Sequence, residues 1–182
     1  PHSWEILKKR MAQAKDSLQE VQLLEARDIR SRSDEFQVKV ETFRKNFQKD
    51  APFTVAAEES TVEEVENAYK TIDSFKNGGS VHGSLSDIIA EAKYLNECQD
   101  LFELFVSDYV QLRRCDEELG YLKELWDMIG YVVFTFNEWK LMLWEKIDTE
   151  FLTMGCKKIQ KQIKGLNKAL RGFQAFEKLE GM

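Results

Sequence analysis

The spacing of apolar residues constrains the fold of this chain more than any other feature. They recur at alternating intervals of three and four, which places them on one face of an α-helix. Only two prolines, Pro1 and Pro52, stand in the 182 residues, so few positions forbid helix. The sequence therefore predicts an all-α fold, an elongated antiparallel bundle of about five or six long amphipathic helices.

The first helix is predicted from about Trp4 to Gln48. The row of apolar residues along one face of this helix, its seam, shifts frame after Val21. Such a shift is a stutter, which locally relaxes supercoiling. Residues 27–35 between the two seams are almost wholly polar. The sequence leaves open whether the helix is continuous there, and whether it packs on the fourth helix or projects away. The two seams are Trp4, Leu7, Met11, Ala14, Leu18 and Val21, and then Ile29, Phe36, Val40, Phe43 and Phe47.

Capping and turn residues delimit the next two helices. Pro52 ends the first helix, and Ser60 or Thr61 is expected to cap the second. A glycine-rich stretch over 77–83 then breaks the chain, and Ser84 is expected to cap the third helix. The pair Ser107-Asp108 is predicted as a corner that caps the fourth helix. The predicted third seam consists of Leu85, Ile88, Ala92, Leu95, Phe102 and Val106.

The fourth helix has the clearest pattern, with a three-four rhythm over about seven turns. Leu125, Val132 and Trp139 add a second apolar face, so contact on two sides is expected. Two interpretations of its aromatic residues stay open, core packing or a docking surface for a neighbouring helix or subunit. The candidate packing or interface anchors are Trp126, Ile129, Val133, Trp139 and Trp144.

A polar corner over 145–149 precedes the last helical segment. Phe151, Ile159, Ile163 and Leu166 predict a fifth helix. The apolar positions from Leu170 to Leu179 predict a sixth, or the same helix after a kink at Gly165.

Residues that carry chemistry are scarce. The two histidines, His2 and His82, stand far from the scattered cysteines, and no phosphate-binding glycine motif occurs. Paired carboxylates such as Glu117-Glu118 fall on polar helix faces. We therefore expect no catalytic, cofactor-binding or metal-binding residues in this chain, no cofactor and no enzyme activity.

Net charge and hydropathy narrow the classes of partner. The formal charge is −6, which argues against a nucleic-acid partner. The segment from Lys146 onward is nevertheless basic, with eight basic and four acidic residues. The most apolar stretch, 128–136, is too short to span a membrane. Three cysteines far apart, Cys98, Cys115 and Cys156, are typical of a reduced intracellular protein. The sequence begins without methionine and stops directly after a helical pattern, which suggests a fragment.

Three stretches of the sequence resemble dynein heavy chains. They are the corner 101–109, with its Ser107-Asp108-Tyr109, the segment 122–127 followed by Trp139 and Trp144, and the segment 163–173. Many dyneins carry proline where Asn167 stands, and a polar residue there is more similar to axonemal outer-arm heavy chains. The resemblance covers roughly 85–182, whereas residues before Gly79 match only as generic helical tail.

The resemblance implies a position within such a motor, at the end of the tail and the start of the linker. Residues 1–79 would be a helical tail segment, 80–108 a connecting helix and corner, and 109–182 the helical start of the linker. The segment would transmit force without catalysis in the axoneme of a cilium or flagellum. Its partners would be the rest of the heavy chain, intermediate or light chains, or neighbouring heavy chains. The alternative is an unrelated spectrin-like or coiled-coil scaffold that binds partner helices.

Overall fold

The fold is all-α, as the apolar spacing predicts. The computed structural model describes residues 2–55, 61–78 and 83–181, with the side chain of His2 left aside. Within these ranges it contains six α-helices, two short 3-10 helices and no strand. The α-helices are α1 (His2–Asp50), α2 (Val62–Asn77), α3 (Leu85–Leu101), α4 (Val110–Lys140), α5 (Thr149–Gly165) and α6 (Gln174–Gly181). The 3-10 helices are Trp144–Lys146 and Lys168–Gly172.

Helix α1 is continuous across its polar middle, and its two halves lie in different environments. The seam residues up to Val21 are exposed, whereas Ile29, Phe36, Val40, Phe43 and Phe47 are buried. The second half of α1 therefore packs on α3 and α4, while the first half projects from the bundle.

Helix α4 lies at the centre of the bundle. It contacts α1, α2, α3, α6 and the second 3-10 helix, so both of its apolar faces are covered. Eleven of its residues are buried, including Leu122, Leu125 and Ile129. Four phenylalanines from α1, α2 and their connection, Phe43, Phe47, Phe53 and Phe75, pack on one another beside it. Phe43 stacks on Phe47, and the other contacts are edge to face, with the Phe47 and Phe75 centroids 5.3 Å apart.

The helix N-termini follow the capping signals in two of the predicted places. The Thr61 side chain accepts a hydrogen bond from the Glu64 amide, and Ser84 accepts one from the Asp87 amide. Ser60 lies outside the described residues, as do His82 and most of the glycine-rich stretch. Asp148 caps α5 in the same way by accepting from the Glu150 amide.

The prediction for the corner before α4 was wrong in two respects. Helix α3 ends at Leu101, so Phe102 and Val106 lie in an irregular segment rather than on its seam. The chain reverses where Glu103 adopts a φ of 53°, and the Leu104 amide donates to the Gln99 carbonyl. Neither Ser107 nor Asp108 caps α4, whose N-cap position is Tyr109 without a side-chain bond. The Ser107 hydroxyl is engaged in tertiary hydrogen bonds instead.

The C-terminal segment folds back onto the same core. A separate α6 follows α5, and Leu170, Ala175, Phe176 and Leu179 are buried. The Ala175 amide donates to the Phe53 carbonyl at 3.1 Å, which ties α6 to the connection between α1 and α2. The three stretches 1–79, 80–108 and 109–182 thus contribute to one core, and their separate functional roles stay a prediction.

Two glycines of α4 should respond to substitution in opposite directions. A Cβ on Gly130 would lie 3.2 Å from the Val65 side chain, whereas Gly120 has no neighbour within 4 Å. We expect Gly120→Ala to raise the free energy of unfolding by up to ~1 kcal/mol, because alanine favours helix. Gly130→Leu should lower it by about 1–3 kcal/mol through overpacking against α2. Urea unfolding followed by circular dichroism measures both, and equal effects would contradict the α2–α4 packing.

Candidate functional site

Three of the five candidate anchors lie on α4 and are buried in the core of the bundle. Trp126, Ile129 and Val133 are all buried. The Trp126 indole N–H also donates to the Pro52 carbonyl at 2.8 Å, so one side chain fills the core and holds the chain where α1 ends. This bond fixes the connection from α1 to α2 against the middle of α4.

Trp139 and Trp144 lie at the far end of α4, in different surroundings. Trp139 is half-buried and packs on Phe136, with ring centroids 5.3 Å apart. It also covers Gly155 of α5 so closely that a Cβ there would be 2.7 Å from the indole. Trp139 therefore joins α4 to α5.

Trp144 does not pack in the core of this chain. Helix α4 ends at Lys140, and the side chain of Trp144 is 90% exposed at the start of a 3-10 turn. The neighbouring Leu141 and Leu143 are exposed as well. Its role as a packing anchor within the chain is thus not realised, and its role as an interface anchor stays a prediction.

An ion pair that the sequence did not reveal links α1 to α4. Arg44 donates to both Glu118 oxygens, at 2.6 and 2.8 Å, in the two-bond geometry that suits guanidinium and carboxylate. The side chains are only 14% and 26% exposed. The hydrogen bond to Glu118 raises the pKa of the Arg44 guanidinium, so the pair stays charged. Burial raises the pKa of the adjacent Cys115 thiol, against the opposing effect of Arg44. No local signal marks such a pair, because 74 residues separate its members.

A polar cluster joins α1, α3 and the corner before α4. The Gln99 side-chain NH₂ donates to the Ser33 hydroxyl at 2.9 Å, and the Ser107 amide donates to the Gln99 side-chain oxygen at 2.9 Å. The Ser33 hydroxyl also lies 3.2 Å from the Tyr109 hydroxyl. The cluster explains why the middle of α1 is polar and yet continuous, since Ser33 is buried against polar partners.

A further hydrogen bond ties α2 to α4. The Tyr69 hydroxyl donates to the Asp127 carboxylate at 2.6 Å. Burial and this bond to a carboxylate raise the pKa of Tyr69 well above its usual range, so it remains a donor at physiological pH.

These arrangements hold the helices together. In the described part of the chain, no group of three or more histidines, cysteines or acidic residues could hold a metal ion. Among the same residues no helix combines the length and hydrophobicity that a membrane span requires.

Truncation of Trp126 should be far more costly than truncation of Trp144. We expect Trp126→Ala to lower the free energy of unfolding by about 3–5 kcal/mol, since it leaves a cavity. Trp126→Phe keeps an aromatic ring in the core and should cost less, about 1–3 kcal/mol. That cost arises because the Pro52 carbonyl loses its donor. The matched control Trp144→Ala should stay within about 0.5 kcal/mol of the parent. An unchanged melting temperature for Trp126→Ala would contradict its role as a core anchor.

Removal of the amide of Gln99 should loosen the corner before α4. Gln99→Leu keeps the apolar volume but strips the Ser107 amide of its acceptor, so we expect a loss of about 1–3 kcal/mol. Hydrogen exchange at the Ser107 amide should speed up, while amides in the middle of α4 change only with global stability. Slow exchange at Ser107 in the variant would show that the cluster is dispensable.

The comparisons with known proteins agree with this architecture. The family described as "Dynein heavy chain, N-terminal region 2" matches residues 112–182. The flagellar outer-arm dynein beta chain of Chlamydomonas reinhardtii is 48% identical over 180 residues, 98% of this chain. Human dynein axonemal heavy chain 17 is 33% identical, and the ciliary dynein beta chain of Tripneustes gratilla is 31% identical, each over 99% of this chain. No solved structure matches.

These matches extend along almost the whole chain, beyond the resemblance over 85–182. The chain spans only 4% of the length of each of these relatives. The family match assigns residues 112–182 to the N-terminal region of such a heavy chain. The flagellar, ciliary and axonemal names of the relatives locate it in the cytoskeleton of a cilium or flagellum. This chain belongs to the axonemal dynein heavy chains, as a segment of their N-terminal region.

Proposed function

We propose that the segment transmits force between the tail of an axonemal dynein heavy chain and its linker. The single observation that carries the proposal is the shared core. Helices α2 and α3 and the second half of α1 pack into one core with α4, which lies almost wholly within the part that matches the dynein N-terminal region. A displacement applied to either part would therefore act on the other through packed side chains.

The contacts between α1 and α4 suit a rigid joint. The Arg44–Glu118 pair, the Gln99 cluster and the Trp126–Pro52 hydrogen bond lie at successive positions along α4 and its corner. Each is directional and largely buried, so sliding of α1 along α4 would break hydrogen bonds as well as apolar contacts. Stiffness of this kind is what a lever needs from the segment that anchors it.

The proposed partners are the rest of the heavy chain, together with intermediate or light chains or neighbouring heavy chains. The exposed apolar group Leu141, Leu143 and Trp144 is one surface available to them. An aromatic residue at the centre of such a group is typical of interface anchors.

Replacement of the segment tests the function in the full-length motor. We expect a heavy chain with these residues replaced by a flexible glycine-serine linker of equal contour length to retain its basal ATPase rate, because the ATP sites lie elsewhere. Its microtubule gliding velocity should fall several-fold, since a flexible linker transmits little force. Unchanged gliding would overturn the proposal. The Gly120→Ala motor is the control and should keep the parent gliding velocity, because a Cβ at that position meets no neighbour within 4 Å.

A further inference from the structure

The projecting half of α1 carries an apolar seam that stays exposed, and among the described residues only its end near Leu18 and Val21 approaches another part of the chain. Trp4, Leu7, Met11, Leu18 and Val21 are between 48% and 63% exposed. The seam spans about 27 Å at the usual helical rise, long enough for a stable pairing of two helices. In the second half of the same helix, residues of similar spacing are buried on α3 and α4.

The charged side chains on the borders of this seam are all basic. Helical spacing puts Lys8 and Lys15 on one border and Arg10 on the other. All three are exposed, and the Lys8 ammonium lies 5.5 Å from the centre of the Trp4 ring, at the edge of the seam.

The acidic residues between Trp4 and Val21 lie away from the seam. Glu5, Asp16 and Glu20 fall on the opposite face at 100° per residue. The segment is therefore nearly balanced in charge as a whole, while the surface that a second helix would meet is positively charged.

A second copy of the chain fits this surface poorly. In a parallel pair Arg10 would face Lys15 of the other copy, and in an antiparallel pair equivalent basic borders would meet. Like charges at these positions disfavour association. Opposite charges at the same positions would favour it.

We infer that the segment from Trp4 to Val21 of α1 docks a separate amphipathic helix whose apolar seam is bordered by aspartate and glutamate. One end of the docked helix would meet the groove between α1 and the turn after α3. There Leu18 and Val21 lie beside Leu101, Phe102 and Leu104. This inference goes beyond the proposed force transmission and does not depend on it.

A pair of synthetic helices tests the inference on the 182-residue chain. Both probes have three heptads with leucine at the seam positions, and their borders carry glutamate in one and lysine in the other. Fluorescence anisotropy should show the glutamate probe binding about tenfold more tightly or better. The preference should weaken as salt screens the borders. Equal binding of the two probes, or binding of neither, would overturn the inference.

Matched charge variants separate the effect of the border residues on probe binding from the effect of net charge. The triple variant Lys8→Glu, Arg10→Glu and Lys15→Glu should reverse the preference between the probes. The control Lys9→Glu, Lys45→Glu and Lys157→Glu changes the net charge equally at exposed positions off the seam, and it should keep the preference. A reversal in the control as well would overturn the inference.

A variant of the seam and a measurement of the oligomeric state of the chain alone complete the test. Leu7→Asp with Leu18→Asp should abolish binding of the glutamate probe while the unfolding curve stays unchanged, since both side chains are exposed. Sedimentation should show the parent chain as a monomer. A dimer that the same double variant dissolves would instead assign the seam to a second copy and overturn the inference.

Discussion

Leu122, Leu125 and Ile129 are fully enclosed because other helices cover α4 from both sides. Burial of large apolar side chains supplies most of the free energy that orders such a bundle, at about 1.5–3 kcal/mol for each of them. The remaining helices depend on this arrangement. Helices α2 and α3 and the second half of α1 all bury their seams against α4 or against each other, and α6 returns to the same core.

Directional contacts then fix how the covering helices sit. Apolar packing alone tolerates sliding, whereas the Arg44–Glu118 pair and the Gln99 cluster each require one register of α1. The Trp126–Pro52 hydrogen bond does the same for the end of α1. Pairs of this kind lie 66 to 74 residues apart in sequence, so they form only when the helices are already in place.

The division of α1 into two environments has consequences for the whole protein. One half belongs to the bundle, and the other carries a seam of the same kind into solvent. A helix that is continuous through both halves couples whatever the projecting half meets to the core around α4. The part that matches the dynein N-terminal region, 112–182, includes most of α4, so this coupling would connect the docking surface with the proposed path of force.

The sequence by itself determined the helical class, the existence of α4, the cap at Ser84 and a cap at Ser60 or Thr61, because these depend on periodicity and on contacts within four residues. It also marked Trp126, Ile129 and Val133 as candidates for burial. The family resemblance was readable in 101–109 and 163–173. Only the tertiary structure decided that α1 runs unbroken through 27–35, where Ser33 finds polar partners across the bundle. It also decided that Ser107 bonds to Gln99 instead of capping α4, and that Trp144 is exposed while Trp139 packs on α5. The physical reason is the same in each case: a hydroxyl or an indole can satisfy its preferences locally or across the fold, and the choice depends on which partner the packed helices bring within reach.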